Sequence, residues 1–177
     1  MENDQIESTV TTRSAGVRYG LIGGIVSIAW FLVMSVAGLD SQGPAQYLGW
    51  VLIIVFIVLA QKYFKDNGDG YMSYGQGIGI AFWYALVSSV ISSVFVFIYI
   101  SFIDSGYLDA IKDKQLEALE KQGMSEAQIE QAMQITSSFM SPGMMLVMGL
   151  FGGIVLSVIF ALIITIFTQK NSPERGI

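Results

Sequence analysis

Four long apolar runs alternate with polar segments along the 177-residue chain. The first, Val17–Leu39, holds 23 residues with a single charge, Arg18, at its start. The second is Tyr47–Phe64. The third, Gln76–Ile103, runs for 28 residues without a charge, and the fourth is Pro142–Thr168. A helix needs about 20 apolar residues to cross the hydrocarbon core of a bilayer, with about 17 as the lower limit. All four runs satisfy this, the second only just. Hydrocarbon offers no partner to backbone N–H and C=O groups, so a spanning segment is a helix or part of a closed barrel. Barrel strands are about ten residues of alternating polarity, and these runs are apolar throughout. The pattern predicts an all-α integral membrane protein: a bundle of four transmembrane helices forming one domain over residues 1–177. The first run is no signal peptide, because its apolar stretch is too long and its flank is not basic.

The polar segments set the organisation. Residues 1–15 read as a loose tail. Asp40–Ala45 is a turn, since Gly43-Pro44 cannot continue a helix, and Asp66–Gly70 is a second turn. Residues 104–141 form a polar insert, and Lys170–Ile177 a short tail. Inside the insert, Glu117 and Lys121 make an i, i+4 pair of the favourable order. Gly123 suits a helix stop, and Ser125 with Gln128 forms a capping box for a second helix. Ile129, Ala132, Met133, Thr136, Phe139 and Met140 then share one face. Ser141 and Pro142 begin span four as cap and first turn. The insert therefore reads as two short amphipathic helices, a hairpin between spans three and four. Ile129, Ala132, Met133, Phe139 and Met140 are candidates for docking a partner; a packed lid over the bundle is the other reading.

Charge gives the hairpin a side. Only 13% of residues are charged, about half the share in a soluble domain. Arg13, Arg18, Lys62, Lys65, Lys170 and Arg175 all fall in segments that four spans place on one side, and they are six of the nine basic residues. The insert holds three lysines against seven acids. By the positive-inside rule both termini are cytoplasmic and residues 104–141 are extracytoplasmic.

Small residues recur at every fourth position in three spans: Gly16, Gly20 and Gly24 in the first; Gly77, Ala81, Ala85, Ser89 and Ser93 in the third; Gly149, Gly153, Ser157, Ala161 and Thr165 in the fourth. Such stripes let helix backbones approach closely, which is what holds helices together in lipid. They serve either packing within the chain or self-association. Span two has no stripe and is expected on the lipid side.

Candidate chemistry is sparse. The chain has no Cys and no His, which removes thiolate catalysis, disulfides and Cys/His zinc sites. No Asp, Glu, Lys or Arg lies deep in a span, where a retained charge would mark an ion or proton path. Ser88, Ser89, Ser92 and Ser93 suit hydrogen bonds to neighbouring helices or to their own carbonyls better than a polar path. Met140, Met144, Met145 and Met148 are soft donors of the kind Cu(I) takes, but thioethers also fill irregular apolar gaps. Gly75, Gly77 and Gly79 follow no strand and make no phosphate loop. Asn67–Gly70 lacks the carboxylates of a calcium loop. No metal, cofactor, catalytic residue or nucleic-acid partner is expected.

The strings GYMSYGQ at 70–76, FID at 102–104 and KQGMSEAQIEQAM…FMSPG at 121–143, with the glycine-rich start of span one near Tyr19-Gly20, carry a resemblance over about residues 15–170. As a set they resemble a family of bacterial four-span proteins catalogued as domain of unknown function 4199 and common in Bacteroidetes. The resemblance implies a bacterial inner-membrane protein without established activity. It transfers no catalytic residue; it implies genes encoded beside those of membrane-associated glycosyltransferases, which makes such an enzyme a candidate partner. The expected function is a non-enzymatic accessory or scaffold subunit, whose partners are the lipid bilayer and another membrane protein or a second copy of itself. A small oligomeric transporter, flippase or channel is the alternative.

Overall fold

The computed structural model describes residues 10–37 and 45–172. The turn expected at 40–45, apart from Ala45, lies outside the described residues, as do residues 1–9 of the tail and Arg175. The described chain is all-α. Its helices are α1 (Thr12–Val36), α2 (Ala45–Asp66), α3 (Tyr74–Ile98), α4 (Tyr107–Lys121), α5 (Glu126–Phe139) and α6 (Pro142–Thr168). Four of them, α1, α2, α3 (with the turn that extends it) and α6, are long and apolar enough to cross a membrane.

Local sequence explains the ends. Helix α1 starts ahead of its apolar run because Thr11 and Ser14 form a capping box, each side-chain oxygen accepting the other's backbone N–H at 3.0 Å. Five residues expected in the tail, Thr11 to Ala15, are thus cap and first turn of the span. Helix α3 likewise starts two residues early, at Tyr74, because Ser73 and Gln76 cap each other. It ends in a wide π-helical turn, Tyr99–Ile103, closed by the Asp104 N–H donating to the Tyr99 carbonyl at 2.9 Å.

Between the hairpin helices the chain turns at Gly123 and Ser125, the expected stop and cap. Glu117 and Lys121 pair at 2.7 Å. Gly123 takes φ +72°; its N–H donates to the Glu120 carbonyl, and the Met124 N–H to Leu119. This is the two-bond left-handed stop that favours glycine. Gly123→Ala is expected to cost about 1 kcal/mol, read as faster amide exchange in the last turn of α4. Ser125 donates its backbone N–H to Gln128 Oε1 at 3.0 Å, and Ser141 Oγ caps α6 through Met144 N–H.

Helix α3 is central, with α1 along one side and α6 along the other. The α1 glycines meet large residues. A Cβ at Gly16 would lie 2.5 Å from Trp83 Cβ and 2.6 Å from the Ile80 carbonyl oxygen; at Gly20, 2.8 Å from Val87 Cβ; at Gly24, 3.0 Å from Ile91 Cβ. Contacts advance together on both helices, so α1 and α3 run parallel. The small stripe of α3 faces α6 instead. Gly77 sits against Thr165, Ser89 against Gly153 and Ser93 against Gly149. Each step up α3 is matched by an equal step down α6, so this pair is antiparallel. Ala81, Ala85 and Ala161 are fully buried between these contacts, and Ser157 is 2% exposed.

Helix α2 departs from the expectation of a lipid-side helix. Ile57, Ala60, Gln61 and Phe64 are buried, while Val51, Val55, Val58 and Leu59 on its other side are exposed. It packs against α1, α3 and α6. A small-residue stripe is one way to seat a helix in lipid. A buried amide with partners on two neighbours is another.

Candidate functional site

Two features stand out, one at each end of the bundle. At the hairpin end a cavity of about 700 Å3 lies between α5 and the spans. Helix α1 contributes Phe31, α3 contributes Ser92, Ser93 and Val96, and α4 contributes Tyr107. Ile135, Thr136, Phe139 and Met140 close it from α5, and Met145, Met148 and Gly149 from α6. Helix α5 of the hairpin therefore shares the lining of this space with the spans. Phe31 is edge-on to Tyr99 at 5.1 Å and tilted to Tyr107 at 5.6 Å. Tyr99 also accepts from or donates to Ser35 Oγ at 3.0 Å. Phe31 and Tyr107 of this aromatic nest form part of the cavity wall. Burial, with the Tyr99 phenol and the Asp104 carboxylate nearby, pushes the Tyr107 phenol above its ordinary value. Tyr107 is neutral near pH 7 in either state; the stability tied to its neutral form is present below pH about 10 and lost as pH rises through the raised value.

Of the four hydroxyls on the wall, those of Ser92 and Thr136 are already occupied. Ser92 Oγ donates to the Ser88 carbonyl at 2.8 Å. Thr136 Oγ1 accepts from Gln115 Nε2 at 3.2 Å. Among the described residues no buried side-chain polar atom lacks a partner. The arrangement holds no nucleophile–base pair; what it can do chemically is accept an apolar group.

At the other end, polar and cationic side chains tie the helices together. Gln61 is fully buried. Its Nε2 donates to Thr165 Oγ1 at 2.9 Å and to the Gly77 carbonyl at 3.2 Å. Its Oε1 accepts from Thr168 Oγ1 at 2.6 Å. One amide thus joins α2, α3 and α6. Lys65 Nζ donates to the Thr168 carbonyl at 2.8 Å, a cation at the C-terminus of α6 where the helix dipole favours it. The GYMSYGQ segment completes the knot. Gly70 takes φ +80°, Asp69 Oδ1 accepts the Tyr71 N–H at 3.0 Å, and buried Met72 exchanges backbone hydrogen bonds with Lys170 at 2.8 and 2.9 Å. Arg13 stacks over Trp83 at 5.0 Å, Arg18 over Tyr63 at 4.6 Å and Lys170 over Tyr71 at 5.3 Å.

The sequence-predicted residues divide between these places. Gly16, Gly20, Gly24, Gly77, Ala81, Ala85, Ser89, Gly153, Ser157 and Ala161 lie in the helix contacts; Ser93 and Gly149 lie both there and on the cavity wall. Of the hairpin candidates, Phe139 and Met140 reach the cavity, while Ile129, Ala132 and Met133 are half-buried elsewhere along α5. Sequence reasoning missed Gln61, although a lone amide beside an apolar run was a usable signal. It missed Phe31 and Tyr107 as well, for which no local pattern gives a sign.

No curated protein and no solved structure shows a significant match to this chain. A family model does match, over residues 18–170, from just before the Gly20 contact to the Lys170 bridge. The chain with these four spans, its knotted end and its hairpin belongs to the family described as Protein of unknown function (DUF4199).

Proposed function

We propose that the chain is a non-enzymatic accessory or scaffold subunit of a membrane complex in the bacterial inner membrane. Both termini face the cytoplasm and the α4–α5 hairpin lies outside. That orientation is supported by Arg13, Arg18, Lys65 and Lys170, whose contacts gather at the end away from the hairpin. The partner is a second membrane protein, with a membrane-associated glycosyltransferase as the specific expectation.

The observation that carries the reading is α5. It is amphipathic, yet none of its residues is buried, and Ile135 and Phe139 remain 59% and 49% exposed. Exposed apolar side chains grouped on one element mark a surface that something else covers. The test is cross-linking in native membranes, followed by mild-detergent capture of the tagged full chain and of an Ile135→Ser/Phe139→Ser variant. A membrane protein recovered in stoichiometric amount with the parent and lost with the variant is expected. A lone monomer in both captures, or equal recovery in both, overturns the reading.

The second reading, a small oligomeric transporter, flippase or channel, is favoured by the cavity. The bundle centre, filled by Ile57, Ile80, Tyr84 and Ala161, leaves any path to run between copies. Vesicle assays without conductance or lipid scrambling would remove it.

A further inference from the structure

We propose that the cavity beneath the hairpin is a binding site for one acyl chain of a membrane phospholipid. Its volume of about 700 Å3 falls within the roughly 300–1,000 Å3 of ligand sites. The wall is built from Phe31, Val96, Met145 and Met148, closed by Ile135 and Phe139. Of its four hydroxyls, Ser92 is engaged with its own helix and Thr136 with Gln115; Ser93 and Tyr107 are the other two. No charged side chain lines the wall to hold a polar headgroup, and water gains little from so apolar a lining. The chemistry selects hydrocarbon.

The source of that hydrocarbon follows from position. Met148 lies six residues into α6 and Ser92 six residues before the end of α3. At 1.5 Å per residue both are about 9 Å down their helices. The cavity therefore descends from the hairpin into the depth occupied by the upper part of a leaflet. Its rim is continuous with the outward side of α6: Met148 is 54% exposed, and Val147, Phe151 and Val155 carry the same exposed surface onward. A lipid tail can enter sideways without crossing a polar barrier. Methionine side chains, flexible and polarizable, adapt to a chain of no fixed shape.

The site does not depend on a protein partner, so it is tested on the purified full chain alone. The chain is reconstituted in phosphatidylcholine vesicles containing phosphatidylcholine with a diazirine at one acyl terminus. After illumination, labelled peptides are mapped by mass spectrometry. Labelling is expected at Ser92–Val96 and Met145–Gly149, above that on the open faces of α2 (Val51–Leu59) and α6 (Val155–Ile163). Thr136→Trp fills the cavity from a hairpin helix that takes no part in span packing, and should abolish the excess. Val155→Trp, outside the cavity, should leave it. Cavity labelling no higher than on the open faces, or unchanged by Thr136→Trp, overturns the proposal. So does protection of the cavity by a second copy, seen as a cross-linked dimer through Phe139 in place of the label.

Discussion

Gly16→Ala and Gly20→Ala each weaken the bundle by about 1–3 kcal/mol, the cost of forcing extra volume into a close-packed contact. The reason lies in what the new methyl would meet. At Gly16 it faces the Ile80 carbonyl oxygen at 2.6 Å, and at Gly20 the Tyr84 carbonyl oxygen at 2.9 Å. These are backbone atoms of α3, so relief requires α1 and α3 to separate along their whole contact. Gly153→Ala is milder, because it meets the Ser89 hydroxyl, which can rotate. Gly152→Ala meets nothing within 4 Å and stays within about 0.5 kcal/mol of the parent. Reversible unfolding in mixed detergent–lipid micelles measures all four. Adjacent Gly152 and Gly153 are the sharpest comparison. If they responded alike, the effect of both would be helix propensity and not contact. If Gly16 and Gly20 were silent, the α1–α3 contact would not be the one described.

These contacts also show where sequence reasoning reaches and where it stops. A stripe of small residues is visible because it is periodic within one helix. What it faces is not. The α1 stripe meets bulky Trp83, Val87 and Ile91, whereas the α3 stripe meets the small stripe of α6. Nothing in either stripe distinguishes the two outcomes, because pairing is a property of the assembled bundle. Caps are legible for the opposite reason. The Gly123 stop, the Ser125–Gln128 box and the Ser141-Pro142 start each depend on a few neighbouring residues. The same rule would have found Thr11–Ser14 and Ser73–Gln76, which begin α1 and α3 outside their apolar runs. Hydropathy marks the segment that lipid requires, and capping marks where the helix begins. The cavity is harder still. Its wall draws on α1, α3, α4, α5 and α6, and only the apolar face of α5 hints at it beforehand. Helix α2 differs for a chemical reason: an apolar run without small residues suggests a lipid-facing helix, and the amide that seats it, Gln61, is a single residue inside the span with no periodic signal.

That anchor gives the second large effect. Gln61→Leu keeps most of the side-chain volume and removes three hydrogen bonds, to Thr165, the Gly77 carbonyl and Thr168. Hydrogen bonds between helices in membranes average about 0.6 kcal/mol with a maximum near 1.7, so the sum is about 2 kcal/mol. The decisive measurement is the double-mutant cycle with Thr165→Val. Both changes delete the same 2.9 Å bond, so their effects should fall short of adding, by 0.5 kcal/mol or more on the scale of directly contacting residues. Additive effects would mean that the amide and the hydroxyl contribute separately, through packing alone. The damage should also stay local. Lys65 still caps α6 and Met72 still bridges Lys170, so α2 loosens while the α1–α3 and α3–α6 contacts remain. Hydrogen exchange would then rise in α2 around Ile57–Phe64 and not around Gly20 or Gly153. Exchange rising everywhere would instead make Gln61 the joint on which the whole bundle closes. The end bearing Arg13, Arg18 and Lys170 would then be the part of the molecule that decides whether the hairpin end, and the cavity beneath it, forms at all.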